Sequence, residues 1–248
     1  MISFTKALPE SFGGDRLWVT PKSYRRYWTH RLEQIHGDVF AAVQRWVQPG
    51  YVVWDVGANV GVFALPAARM AGPTGRVIAF EADVEMAMLL QRSVGQRRSG
   101  AAEILIVAAA VADLSGAIGF SISSYRTAAS SIEGFGRFSA KGQTRHCPAF
   151  RIDDFAAWHE SPAVLKIDVE GAENLVLRGA IETLRQERPI VLCECSGGKT
   201  GEETANLLRE AGYAWRPWLS DEAFTTETVP EGDIAAVPTE KVCAFVRS

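Results

Sequence analysis

Long apolar runs are missing from this chain of 248 residues. No stretch approaches the ~18 uninterrupted apolar residues that suggest a membrane-spanning helix. The opening MISFTKALPES lacks a charged stretch followed by an apolar one, so it does not read as a secretory signal. Basic excess is also missing. Lys and Arg number 26 against 29 Asp and Glu, a net charge of −3, which leaves no electrostatic footprint for nucleic acid. The cluster Lys22, Arg25, Arg26 and Arg31 reads as a solvated helix face rather than a binding arm. Cys147, Cys193, Cys195 and Cys243 form no paired framework, and no histidine stands at ligand spacing from them, which excludes a zinc site. Cys193 and Cys195 alternate around Glu194, share one face of an apolar strand, and read as buried free thiols. Repeats and low-complexity segments are absent. The expectation is a soluble, cytoplasmic protein with no nucleic-acid or membrane partner.

What is present is enough apolar content, 47%, for one large core. Strand and helix patterns alternate, which predicts a parallel sheet. Residues 1–48 read as a helical and aromatic segment packing on the core, with Trp18, Tyr24, Tyr27 and Trp28 and a helix near Asp38–Val47. Residues 49–248 read as the main domain. Its strands are expected from Val52, over Gly75–Glu81 and Glu103–Val111, at Ala163–Asp168, at Pro189–Cys195 and finally at Val242–Val246, with a β-extension at Ile118–Ile122. Helices are expected over Val84–Gln96 with Asp83 as N-cap, over Arg151–Trp158, Gly171–Arg185 and Glu202–Ala211. Residues 123–147 are polar, glycine-bearing and without period. A loop of that length inside a compact domain is usually functional, so a substrate-side lid is expected there.

The densest signal is VVWDVGANVG at residues 52–61. Near-continuous apolarity suggests a strand covered on both faces, and it ends in Asp55, Gly57, Ala58, Asn59 and Gly61. Glycines there permit a tight turn and close approach of a ligand to main chain. A pyrophosphate-binding turn wants G-x-G-x-x-G, whereas these glycines stand four apart with none between. The acid precedes the turn, where a pyrophosphate would be repelled. A carboxylate suits a cationic ligand, and S-adenosylmethionine (SAM) carries an ammonium and a sulfonium. The stretch resembles motif I of class I SAM methyltransferases. Twenty residues past Gly61, Glu81 ends the next strand, where an acid takes ribose hydroxyls in α/β nucleotide folds. Asp113, in the turn Asp113-Leu114-Ser115-Gly116, is placed either to face an adenine amino group or to serve as a plain turn residue.

The other dense cluster is LKIDVEGAE at residues 165–173. Period-two alternation puts Lys166 and Asp168 on one side of a strand. A buried lysine wants an anionic partner, and Asp168 is the nearest in sequence. Glu170 and Glu173 fall in the expected opening turn of a helix, where the dipole favours carboxylates. Together DVGANVG, the acid in AFEAD, AVADLSG, RIDDF, LKIDVEGAENLVLRGA and PIVLCE make the chain similar to the FkbM family of SAM-dependent methyltransferases, over roughly residues 45–215. The resemblance implies an α/β fold: a class I methyltransferase (Rossmann-like) three-layer sandwich with a mostly parallel seven-stranded sheet of order 3-2-1-4-5-7-6, last strand antiparallel. It also implies methyl transfer to the hydroxyl of a sugar or natural-product small molecule. By position, Asp55, Gly57, Asn59 and Gly61, with Ala58 between them, would hold the amino-acid end of SAM, and Glu81 the ribose. The family often has proline after the ribose acid, where this chain has Ala82, and a polar residue before Ala-x-x-Asp, where it has Ala108-Ala109-Ala110.

Methylating an alcohol requires SAM and hydroxyl to be oriented and the proton removed. Asp168, Lys166 and Glu170 are the catalytic candidates. Asp168 and Glu194, at the ends of neighbouring strands, could instead hold a Mg²⁺ that acidifies the hydroxyl, hard oxygen ligands suiting that ion. Catechol-type enzymes add an acid or amide after the second ligand, where this chain has Cys195. Of the histidines, His146 beside the expected lid is the best base candidate, ahead of His30, His36 and His159. Two other readings compete: a non-catalytic SAM-binding scaffold, and a NAD-dependent oxidoreductase, which the missing central glycine disfavours.

Overall fold

A computed structural model describes residues 2–21, 24–122, 131–132 and 143–245. The chain opens with an antiparallel hairpin, β1 (Phe4–Ala7) and β2 (Arg16–Val19), where a helical segment was expected. Leu8, Phe12, Leu17 and Val19 are buried in the same apolar cluster as the main sheet, so residues 1–48 add to one core instead of forming their own. Helix α1 (Leu32–Trp46) starts six residues before the expected Asp38 and carries a non-helical kink at His36.

The central run is β3 (Val52–Val56), α2 (Ala64–Ala71), β4 (Arg76–Phe80), α3 (Val84–Val94) and β5 (Glu103–Val107). Every residue of β3 is buried, as the apolar run requires of a strand covered on both faces. Asp83 caps α3 by accepting from the Glu85 N–H at 2.9 Å. The expected strand Glu103–Val111 is two: β5 ends at Val107, and β6 (Ala110–Val111) joins a second sheet. That sheet runs β6, β9 (Gln143–Phe150), β7 (Gly116–Ile122) and β8 (Ser131–Ile132). Residues 143–147 of the expected lid are therefore strand, paired antiparallel with β7. Its residues 123–130 and 133–142 lie outside the described residues.

After α4 (Ile152–Ala156) the chain returns to the main sheet with β10 (Val164–Ile167). The expected helix 171–185 is two, α5 (Glu173–Arg178) and α6 (Ile181–Gln186). They break at Gly179, where a Cβ would lie 2.1 Å from the Ala112 carbonyl oxygen. Asp153 then caps α6 by accepting from the Thr183 N–H at 2.9 Å. The chain continues through β11 (Ile190–Ser196), α7 (Gly198–Glu210), β12 (Tyr213–Pro217) and β13 (Glu231–Pro238). Residues 242–245, expected as the last strand, are a helical turn, α8 (Val242–Phe245). A short apolar run does not distinguish strand from helix.

The main sheet has the order β12-β13-β11-β10-β3-β4-β5. All its pairs are parallel except those of β13, which is antiparallel to both neighbours. Counted along the chain this is 3-2-1-4-5-7-6. Alternate residues send Val53, Val77 and Leu192 to one face and Trp54, Phe80 and Ile167 to the other. Helices cover both faces, giving the three-layer sandwich of class I methyltransferases. The chain leaves β3 towards β4 and later re-enters on its other side at β10. Ligands of open α/β sheets bind beyond the strand ends at such a reversal, and both sequence clusters end there. Among the described residues no helix is long and apolar enough to cross a membrane.

Candidate active site

In the parallel register of β3 and β10, Lys166 stands directly beside Asp55. Its Nζ lies 3.1 Å from Asp55 Oδ1 and 3.2 Å from Asp168 Oδ2. It also donates to the Gly57 carbonyl at 3.3 Å. Asp55 is fully buried, and burial pushes its carboxyl up against the pull of Lys166. Burial would lower the Lys166 ammonium, but the Asp168 and Asp55 carboxylates outweigh it and the net shift is upward. A lysine so held stays charged, so it positions the carboxylates and does not act as a base. Sequence adjacency pointed to Asp168 as its partner; the sheet supplies Asp55 as a second.

The turn after β3 is tied to the next strand, with the Gly57 and Ala58 N–H groups both donating to the Phe80 carbonyl, at 3.0 and 2.9 Å. Gly57 has φ of +80°, and a Cβ there would lie 1.8 Å from the Asp168 carbonyl oxygen. This glycine is thus demanded by the neighbouring strand end as well as by the turn. Asn59 has a φ of +49°, a left-handed conformation that asparagine tolerates better than most residues. Its side-chain oxygen accepts from the Val60 N–H at 2.8 Å. Its own N–H donates to Glu81 Oε2 at 2.7 Å, and the Asp83 N–H donates to Glu81 Oε1 at 2.7 Å. Burial raises the Glu81 carboxyl to about 7, with these two N–H donors working in the other direction.

These groups open onto a cavity of about 480 Å³, within the range of small-molecule sites. Its lining includes Gly57, Ala58, Asn59, Phe80 and Glu81 together with Ala109, Ala110 and Val111. Tyr24, Tyr27, His36, Phe63 and Trp218 line it as well. Asp168, Glu170, Glu194 and Asp233 line the same space. Glu170 sits at φ +56° in the turn between β10 and α5, ahead of the helix that sequence reasoning put it in. It is one of the strained positions that cluster at functional sites. Glu173, the first residue of α5, reaches back to accept from the Gly171 N–H at 2.8 Å.

Three residues expected to touch SAM do not line this cavity. Asp55 is buried beneath it and spends its charge on Lys166. Gly61 faces the core, where a Cβ would meet Leu90 and Leu65 side chains at 2.4 and 2.6 Å. Asp113 pairs with Arg178 at 3.6 Å. Asp168 and Glu194 are the residues expected to hold Mg²⁺. Both line the cavity, but among the described residues no group of three or more His, Cys, Asp or Glu is arranged to hold a metal ion. Asp168 is instead engaged by the Lys166 ammonium. His146 is exposed on β9 opposite Gly119, outside the cavity, while His36 lines it. Sequence reasoning also missed Trp218 and Asp233. Both sit in the antiparallel end of the sheet, whose strands carried no recognised motif.

The model of the methyltransferase FkbM domain matches residues 55–224. The chain belongs to the FkbM methyltransferase family. FkbM domains are SAM-dependent methyltransferases, and the cavity's lining fits such a donor: a buried carboxylate, a glycine turn, and the apolar Phe80 and Ala109–Val111. No curated protein matches the sequence. Solved structures similar to it include methyltransferase FkbM from Methylobacillus flagellatus KT, at 13% identity and TM-score 0.49, covering 82% of this chain and 59% of that one. A precorrin-6y C5,15-methyltransferase from Geobacter metallireducens GS-15 has 11% identity and TM-score 0.48, covering 83% and 89%. M. jannaschii TYW2 in complex with AdoMet has 10% identity and TM-score 0.49, covering 95% and 83%.

Proposed function

We propose that this FkbM-family protein transfers a methyl group from SAM to a hydroxyl of a sugar or natural-product small molecule. The observation that carries the reading is the make-up of the cavity wall. Aromatic side chains of Tyr24, Tyr27, Phe63 and Trp218 share it with the carboxylates of Asp168, Glu170, Glu194 and Asp233. Aromatic faces suit sugar and polyketide rings, and carboxylates accept hydrogen bonds from hydroxyls. A cavity rimmed by four acids disfavours nucleic acid, in keeping with the chain's net charge of −3. Buried unpaired Cys193 and Cys195 suit a reducing cytoplasm.

In the bound state Glu81 would accept from the ribose hydroxyls and the Gly57–Asn59 main chain would face the amino-acid end. SAM supplies an electrophilic methyl. This chain's own task is to bring the hydroxyl oxygen in line with it and to exclude water. Asp168, fixed by Lys166, would accept a hydrogen bond from a neighbouring hydroxyl of the acceptor and so aim the reacting one. Incubation with methyl-labelled SAM and a small-molecule extract of the source organism should yield a labelled methyl ether. Asp168→Asn should bind SAM as the wild type does and lose turnover. Full turnover in that variant would remove Asp168 from the mechanism, and label on nitrogen or carbon would remove the hydroxyl.

A further inference from the structure

We propose that His36, oriented by Tyr27, is the group that takes the proton from the acceptor hydroxyl. The inference rests on the O-methyltransferase reading and adds the base that reading lacks. Three observations converge on this residue. His36 lines the cavity together with Lys166 and Asp168. The ring packs against two tyrosines that also touch each other, its centroid 5.9 Å from Tyr24 and 5.7 Å from Tyr27. The Tyr27 hydroxyl is 3.1 Å from Nε2, and Tyr27 itself is buried. The backbone departs from the helix at the same residue, with His36 at φ −135° and ψ 25° inside α1. Gly37 follows it. Non-helical dihedrals within a helix mark a constraint that something other than the helix imposes.

Only one tautomer makes His36 a base. If Nε2 carries the hydrogen and donates to the Tyr27 oxygen, Nδ1 has its lone pair for the acceptor. Burial and Tyr24 both push the Tyr27 phenol upward, so it stays neutral and can accept that bond. Tyr27 then has the part of a positioning residue: it fixes the ring and the tautomer. Burial lowers the His36 imidazole to about 4, with Asp168 raising and Lys166 lowering it. A neutral ring suits a site that must also receive a sulfonium. The low value does not disable it. As the new C–O bond forms and the methyl–sulfur bond breaks, the attacking oxygen acquires the character of a protonated ether, a strong acid. A weak neutral base suffices to receive its proton as the methyl transfers. The balance is one hydroxyl proton to Nδ1, one methyl to oxygen, and the positive charge passed from sulfonium to imidazolium. Asp168 stands in the same cavity to stabilise that imidazolium until the proton leaves to solvent.

The test uses the full-length protein, methyl-labelled SAM and the same extract. His36→Gln should lower the rate of ether labelling by about 10²-fold or more, with the dissociation constant for SAM, read by calorimetry, unchanged. Tyr27→Phe should lower the rate by a smaller factor. Imidazole added to His36→Ala should restore part of the activity, which a purely structural histidine would not allow. A second arm needs no variant: ¹⁵N-histidine spectra of the wild type should show Nε2 protonated and Nδ1 bare. A wild-type rate in His36→Gln, or the opposite tautomer, would overturn the proposal. If wild type and variant make the ether equally well, only the base assignment fails. If neither makes an ether, the O-methyltransferase reading fails instead.

Discussion

Glu81 should make SAM binding depend on pH, and the size of the effect follows from its surroundings. Its carboxylate is buried, 8% exposed, and each oxygen already accepts one backbone N–H at 2.7 Å. Burial raises it to about 7 from 4.5. Ribose hydroxyls need an ionised acceptor, so protonation competes with the ligand, and the dissociation constant should rise about tenfold between pH ~8 and ~6. The ligand-free protein should show the opposite trend. An acid whose folded value is raised favours the native state below its unfolded value and loses that contribution as pH climbs to about 7, here about 3 kcal/mol. His36 has the reverse sign over a lower window. Lowered from 6.5 to about 4, it adds stability as pH rises between those values. The difference between wild type and Glu81→Gln therefore isolates Glu81, and it also removes the titration of SAM's own ammonium. Calorimetry at several pH values reads the binding arm, and urea unfolding without ligand reads the other. Glu81→Gln can accept only one of the two N–H donors, so its affinity should be weaker at every pH and its extra slope gone. An equal slope in wild type and variant would refute the assignment of Glu81 to the ribose.

Lys166→Met should destabilise the fold by ~3–5 kcal/mol, because it leaves Asp55 buried without its ion-pair partner. Adding Asp55→Asn should return much of that loss in urea unfolding, and no recovery would mean that the two charges are not coupled. Asp113→Asn should leave the SAM dissociation constant within about twofold of wild type by calorimetry. Its carboxylate faces Arg178 and does not line the cavity, and the pair is partly exposed, which limits its worth to ~1 kcal/mol. A large loss of affinity in that variant would return Asp113 to the adenine side.

The parallel half of the sheet was legible because its strands, buried on both faces, leave continuous apolar runs ending in glycines and acids. VVWDVG and VLKID are of that kind, and β3 and β10 fall on them. The antiparallel end was not legible. Glu231–Pro238 begins with exposed polar residues and contains alanines that pack without declaring a period, so VCAFV nearby looked the better strand. Site residues on the recognised motifs could be read one by one, yet their directions could not. Asp55 and Gly61 face protein, because sheet register and helix packing decide which way a side chain points, and neither is written in local spacing. His36 could not be ranked from sequence, because Tyr27, nine residues before it, comes within 3.1 Å of its ring only in the folded chain. His36-Gly37 stands just ahead of the helix expected from Asp38, so no local pattern marked it.

The cavity divides unevenly along the chain. Glu81 and the glycine turn lie within the stretch shared with the family, residues 55–224, as do the strand ends that carry Lys166 and Asp168. Tyr24, Tyr27, Ile35, His36 and Val39 precede it, and Asp233 follows it. Two members could therefore agree throughout the shared stretch and still present different walls to their acceptors. Chimaeras that trade residues 1–48 between relatives would then alter which acceptor is methylated and leave the handling of SAM intact.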